Sequence, residues 1–111
     1  DPVAYFTESR AVPGRKDITA LHNGVRYLFS SVENRDLFDR HPKMYLPAYG
    51  GYCAWAASQG YIAGVDPEAW TVLNGRLFLN FSRGVRRRFQ NDLEANIAAA
   101  DRNWPRLRSE I

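Results

Sequence analysis

The dipeptide Asn74-Gly75, set between Trp70–Leu73 and Arg76–Asn80, constrains the fold of this 111-residue chain more than any other local signal. Asn-Gly supplies the positive φ angles of a two-residue hairpin turn, and the runs on either side predict paired strands. His22-Asn23-Gly24 does the same between Ile18–Leu21 and Val25–Phe29. Alternation points Val25, Tyr27 and Phe29 to one buried face, and Leu77, Leu79 and Phe81 to one side of the second hairpin. Two such hairpins can join into a small antiparallel sheet with helices packed on one face, an α+β arrangement.

The helices are signalled by their ends. Asp1-Pro2 predicts a capped first turn. Ser30-Ser31-Val32-Glu33 has capping-box spacing and opens a helix to about Arg40, with Leu37, Phe38 and His41 on a shared face. Pro42 ends it, and Lys43-Met44-Tyr45 adds a further turn before Pro47. Arg10–Lys16, with Pro13-Gly14, reads as a loop, Tyr61–Gly64 as irregular, and Asp66-Pro67-Glu68-Ala69 as a turn. Ser82 caps a long helix whose apolar stripe is Val85, Phe89, Leu93, Ile97 and Ala100, closed by Trp104-Pro105. No repeat or linker is read from the sequence, and 111 residues suit a single domain over 1–111.

Composition removes several classes. At 45% hydrophobic and 24% charged residues the chain is too apolar for disorder. No run approaches the length of a membrane span, and there is no signal-peptide pattern. A first residue of Asp1 fits a processed chain from which an export signal has been removed. The net charge of +3 is concentrated at Arg83, Arg86, Arg87 and Arg88, which reads as a solvated helix face. Phe89, the nearest aromatic, falls on the core side of that helix, which argues against nucleic acid as a partner. One cysteine excludes an intramolecular disulfide and a multi-cysteine zinc site. No carboxylate pair has acid–base spacing: Asp66 and Glu68 lie in a turn, and Asp92 and Glu94 on a polar helix face. No Ser-His-Asp set or phosphate-binding glycine loop is present.

That single cysteine sits in Tyr49-Gly50-Gly51-Tyr52-Cys53-Ala54-Trp55-Ala56, and Cys53 to Gln59 predicts a short helix stopped by Gly60. A thiol at a helix start meets unpaired N–H groups that favour the anion, making it a better nucleophile and metal ligand. The alternative is a small buried apolar side chain. His22, at a turn, and His41, at a helix end, are the candidate partners, His41 being nearer in sequence. Cys53 and His41, completed by Asp1 or Met44, form a candidate soft-metal set, since cuprous copper prefers thiolate and thioether. Tyr45, Tyr49, Tyr52, Trp55 and Tyr61 crowd this stretch, either as aromatic core or as a pocket. Tyr49, Gly50, Gly51, Tyr52 and Trp55 are the candidate lining, with Tyr49 and Tyr52 best placed to tune the sulfur.

Asp1-Pro-Val-Ala-Tyr-Phe, Tyr27-Leu-Phe-Ser-Ser, Asn34-Arg-Asp-Leu-Phe, His41-Pro-Lys-Met-Tyr, Tyr49-Gly-Gly-Tyr-Cys-Ala, Asp66-Pro-Glu-Ala-Trp and Asn103-Trp-Pro together resemble the YHS-domain proteins, in their longer single-domain form that includes selenoproteins. The resemblance covers nearly the whole chain. Shorter YHS modules bind metals, copper included, through cysteines whose positions fall here on Asp1, Ala4, Ser30 and Asn34. With all four thiols absent, that metal site does not carry over, while Ser30 and Asn34 still suit a helix start. The longer form places cysteine or selenocysteine at the position of Cys53. Selenium is useful as a redox atom rather than as core filler. The resemblance therefore implies a reactive thiol at Cys53, used for redox chemistry on a small molecule or partner and restored by an external thiol. It also implies an exported, periplasmic or secreted, location. A copper or other soft-metal carrier and a non-catalytic interaction module are the alternatives.

Overall fold

The computed structural model describes residues 1–111. The elements run α1 (Ala4–Thr7), β1 (Arg15–His22), β2 (Val25–Phe29), α2 (Val32–Arg40), α3 (Pro42–Tyr45), a 3-10 turn (Ala48–Gly51), α4 (Ala54–Gln59), β3 (Asp66–Leu73), β4 (Arg76–Asn80), α5 (Arg83–Asn91) and α6 (Leu93–Ser109). The fold is α+β with a long C-terminal helix, as expected. The hairpins do not merge, however: β1–β2 and β3–β4 are separate two-stranded antiparallel sheets. No helix is long and apolar enough to cross a membrane.

Residues 1–46 with 72–76 form one compact unit, and 47–71 with 77–111 the other. In the first, Val3, Ile18, Phe29, Phe38 and Tyr45 make the core, and Phe6, Ala20, Tyr27, Leu37 and Leu46 pack around it. The Phe29 and Phe38 ring centres are 5.2 Å apart. Burial along β2 is graded, from exposed Val25 through half-buried Tyr27 to sealed Phe29, so the expected apolar face holds only toward the helix end. Ser31, not Ser30, caps α2 by accepting the Asn34 amide at 3.1 Å. The expected capping box is therefore shifted by one residue, because Ser30 is engaged elsewhere. Between Arg15 and Thr19 the β1–β2 register slips. Just before it, a Cβ on Gly14 would lie 2.4 Å from the Leu28 backbone carbon.

In the second unit α4 packs against α6, with Ala54, Ala56, Ala57, Ala100 and Leu107 buried. Small side chains let two backbones approach closely. Leu77, Phe78, Leu79 and Asn80 are all buried, so β4 is covered on both faces, while Phe81 leaves the strand 61% exposed. That replaces the expected one-sided alternation ending in Phe81. β3 begins at Asp66, so the anticipated Asp-Pro turn is a strand start in which Asp66 accepts the Glu68 amide. The single long helix expected after Ser82 is two. Asp92 breaks it at φ −145°, and the Asn96 side chain caps the end of α5 by donating to the carbonyls of Arg88 and Phe89. Nor does Pro105 close α6: it lies inside the helix, which runs on to Ser109 and buries Leu107. Proline removes one hydrogen bond there, and the buried leucine beyond it opposes a stop.

One order of elements is used twice, although the sequence was read as free of repeats. A short helix precedes an Asn-Gly hairpin, a serine N-cap and a nine-residue helix in each half. Asn23-Gly24 recurs as Asn74-Gly75, Ser31 as Ser82, and core Phe38 as core Phe89.

The Gly14 contact gives a direct test. Gly14→Ala should lose about 1–3 kcal/mol in urea unfolding, the usual cost of forcing a methyl into filled space. Gly64→Ala, where a Cβ meets nothing within 4 Å, should leave stability within about 0.5 kcal/mol.

Candidate functional site

Cys53 is positioned from both sides by backbone. Before it, Tyr49, Gly50 and Gly51 have φ of 58°, 61° and 84°. Such angles suit glycine and cost a tyrosine about 1–3 kcal/mol unless the surroundings hold it. They do: Tyr49 is buried, its hydroxyl donates to Asp101 at 2.9 Å, and its ring lies 6.0 Å from both Phe78 and Trp104. After this turn Cys53 donates its amide to the Ala63 carbonyl at 3.0 Å and bridges to Leu79 of β4. It is the N-cap of α4, as expected, and Gly60 ends that helix at φ 92°. The far end of α4 is held by α6, through Asn103 on the Ala57 and Ser58 carbonyls and Arg106 on the Gly60 carbonyl.

The sulfur itself is 1% exposed with its residue. It accepts the Ala56 amide at 3.5 Å and the Phe81 amide at 3.3 Å, and donates to Asn80 Oδ1 at 3.5 Å. Asn80 Oδ1 also accepts the Trp55 amide at 2.9 Å. Thiol and amide thus cap α4 together, and the thiol ties it to the junction between β4 and α5. With six residues α4 has little macrodipole, so the field at sulfur comes from the two N–H groups themselves. Asn80 is completely buried, and its Nδ2 has no hydrogen-bond partner. Sequence reasoning passed over it, because a polar residue at a strand end reads as the start of a turn.

The other candidate residues divide. Tyr49 spends its hydroxyl on Asp101 rather than on sulfur. Trp55 turns its ring away, 6.5 Å from Tyr61 and 5.6 Å from the Arg88 guanidinium. Gly50 lies against Trp104 and Tyr52, so the aromatic crowd acts here as packing. Arg83, Arg87 and Arg88 are exposed, as expected of a solvated helix face, but besides Arg88 on Trp55, half-buried Arg86 stacks 6.0 Å over Trp70. Neither tryptophan was foreseen beside them.

None of the sulfur's three hydrogen-bond partners is an imidazole. His22 is half-buried, edge-on to Phe38 at 6.0 Å, rather than an exposed turn residue. His41 is exposed between α2 and α3. It shares a shallow depression with Met44, Arg40, Pro42 and Lys43, and the two flanking cations oppose a metal ion there. Asp1 is committed. Its Oδ1 accepts the Val3 and Ala4 amides, and its Oδ2 accepts the Ser30 amide, the Ser30 hydroxyl and Asn34 Nδ2 at 2.7–2.8 Å. No group of three or more His, Cys, Asp or Glu side chains is placed to hold a metal ion, so Cys53, His41 and Asp1 are not one site. The four positions Asp1, Ala4, Ser30 and Asn34 do meet, joined by hydrogen bonds to one carboxylate. Ala4 offers no side-chain donor and both carboxylate oxygens are already occupied, so these residues do not fit a metal.

No family model, curated protein or solved structure matches this chain.

Removing the sulfur should cost stability whatever its chemistry. Cys53→Ala strands the Phe81 and Ala56 amides and is expected to lose about 1–3 kcal/mol in denaturant unfolding. Cys53→Ser, whose hydroxyl can both donate and accept, should recover part of that loss.

Proposed function

We propose that this chain is a small YHS-like domain whose Cys53 is a redox-active thiol, shielded at rest and used on a small-molecule oxidant or partner. The observation that carries the reading is the pair of amides aimed at the sulfur from two separate elements, Ala56 at 3.5 Å and Phe81 at 3.3 Å. N–H donors fixed in advance are the groups that hold charge developing on a reacting atom. The resemblance to a family with selenocysteine at this position points the same way. With no second cysteine in the chain, the oxidised sulfur must be reduced from outside. One external thiol displaces water from the sulfenic acid to give a mixed disulfide, and a second releases Cys53. An exported setting, periplasmic or secreted, goes with this reading. Burial makes local opening the gate to reaction, so the rate should track the population of opened molecules.

Peroxide followed by a sulfenic-acid trap should label Cys53 in the folded chain, more slowly than in urea-unfolded chain but faster than global unfolding. Labelling no faster than global unfolding, measured by hydrogen exchange under the same conditions, would sink the proposal. A second reading is favoured by the 1% exposure of Cys53: an interaction module in which the thiol only caps and packs. On that reading Cys53→Ala changes stability and leaves partner binding untouched. The soft-metal carrier finds no assembled ligand set to support it.

A further inference from the structure

A completely buried amide nitrogen without an acceptor requires an explanation, since such a group costs about 1–3 kcal/mol. Asn80 Nδ2 is in that position, and its orientation is settled by its other end. Oδ1 accepts both the Trp55 amide at 2.9 Å and the Cys53 thiol at 3.5 Å. Flipping the side chain would set an NH2 group against the Trp55 N–H, which can only donate. The fold uses only the oxygen of this side chain, for the Trp55 amide at the start of α4. Phe29, at the same place at the end of β2, is equally buried and purely apolar. An unspent donor therefore lies on the same amide that touches the only thiol of the chain.

We propose that Asn80 is a positioning residue for the oxidised state of Cys53, its Nδ2 donating to the oxygen that oxidation adds to the sulfur. This rests on the thiol-redox reading above. The oxidant is a peroxide. The sulfur attacks one peroxide oxygen, an S–O bond forms and the O–O bond breaks. Sulfur loses two electrons, and the departing oxygen takes the thiol proton and leaves as water or, from an organic peroxide, as an alcohol. The new S–O–H group accepts from Nδ2 and can return its own proton to Oδ1. The orphaned donor is thereby satisfied, and the sulfenic acid is held against further oxidation.

Hydrogen peroxide with the whole chain is the test, with trapping and mass spectrometry following sulfenic and sulfinic acid. Asn80→Asp keeps an oxygen for the Trp55 amide and removes the Nδ2 donor. Its sulfenic acid should pass to sulfinic acid roughly fivefold to tenfold faster than in the wild type, about the factor that one hydrogen bond supplies. Equal lifetimes overturn the proposal. A measurement needing no variant guards against misfolding of that protein. On oxidation of the wild type, the Asn80 side-chain amide resonances should shift and their exchange with water should slow. Unchanged resonances beside an oxidised Cys53 also overturn it. Failure of the wild type to form any sulfenic acid is a different result, because it removes the thiol-redox reading itself before Asn80 is compared.

Discussion

A helix of four or six residues does not stand alone in water, and this fold contains one at the start of each half. What holds each is one side chain ahead of it that collects N–H groups from two directions. Asp1 takes the Val3 and Ala4 amides of the α1 segment, and the Ser30 amide, Ser30 hydroxyl and Asn34 Nδ2 from the start of α2. Cys53 takes the Ala56 amide of α4 and the Phe81 amide at the junction of β4 and α5. In both cases the short helix, the end of a hairpin and the start of the following helix are tied at one atom or one carboxylate. The hydrophobic packing of each half is arranged about that tie. Phe38 and Phe89 are the fully buried phenylalanines on the helices concerned.

The two ties differ in strength. Contacts to the Asp1 Oδ2 run at 2.7–2.8 Å and are charge-assisted, roughly twice as strong as neutral ones. Those to the sulfur run at 3.3–3.5 Å to a weak acceptor. As a cap, aspartate or serine would serve α4 better than cysteine. Thiol at this position thus caps less strongly than an oxygen would.

What was legible in the sequence was local. The two Asn-Gly turns, the serine caps and the Cys53–Gly60 helix follow from dihedral preferences and orphan backbone groups that neighbouring residues settle among themselves. What was not legible required a partner far along the chain. The break at Asp92 depends on Asn96 reaching back to Arg88 and Phe89, and α6 continues past Pro105 because Leu107 is buried beyond it. Trp55 and Trp70 found their arginines through packing that no spacing records. The repeated order of elements was hidden because the halves share little beyond their turns, caps and one core phenylalanine. At the site, Cys53 and its helix start were visible, while Asn80 was not. Its burial comes from β4 being covered on both faces.

The repetition also serves as an internal control on what is special about the second half. Asn-Gly, the serine cap and the core phenylalanine persist in both, so the architecture needs them. Where the halves diverge, the fold tolerates either choice. The first has Asp1 with Ser30 and Asn34, a polar set that closes on itself, and it ends β2 in Phe29. The second has Cys53 with the Ala56 and Phe81 amides, and it ends β4 in Asn80. A buried asparagine in that setting costs free energy, and the thiol beside it satisfies only its oxygen. A phenylalanine there would leave the Trp55 amide without its acceptor, so the oxygen is needed and the nitrogen alone is unspent. The pairing of an oxidisable sulfur with a donor unspent in the reduced state is therefore a feature of this site alone, separable from the frame that carries it.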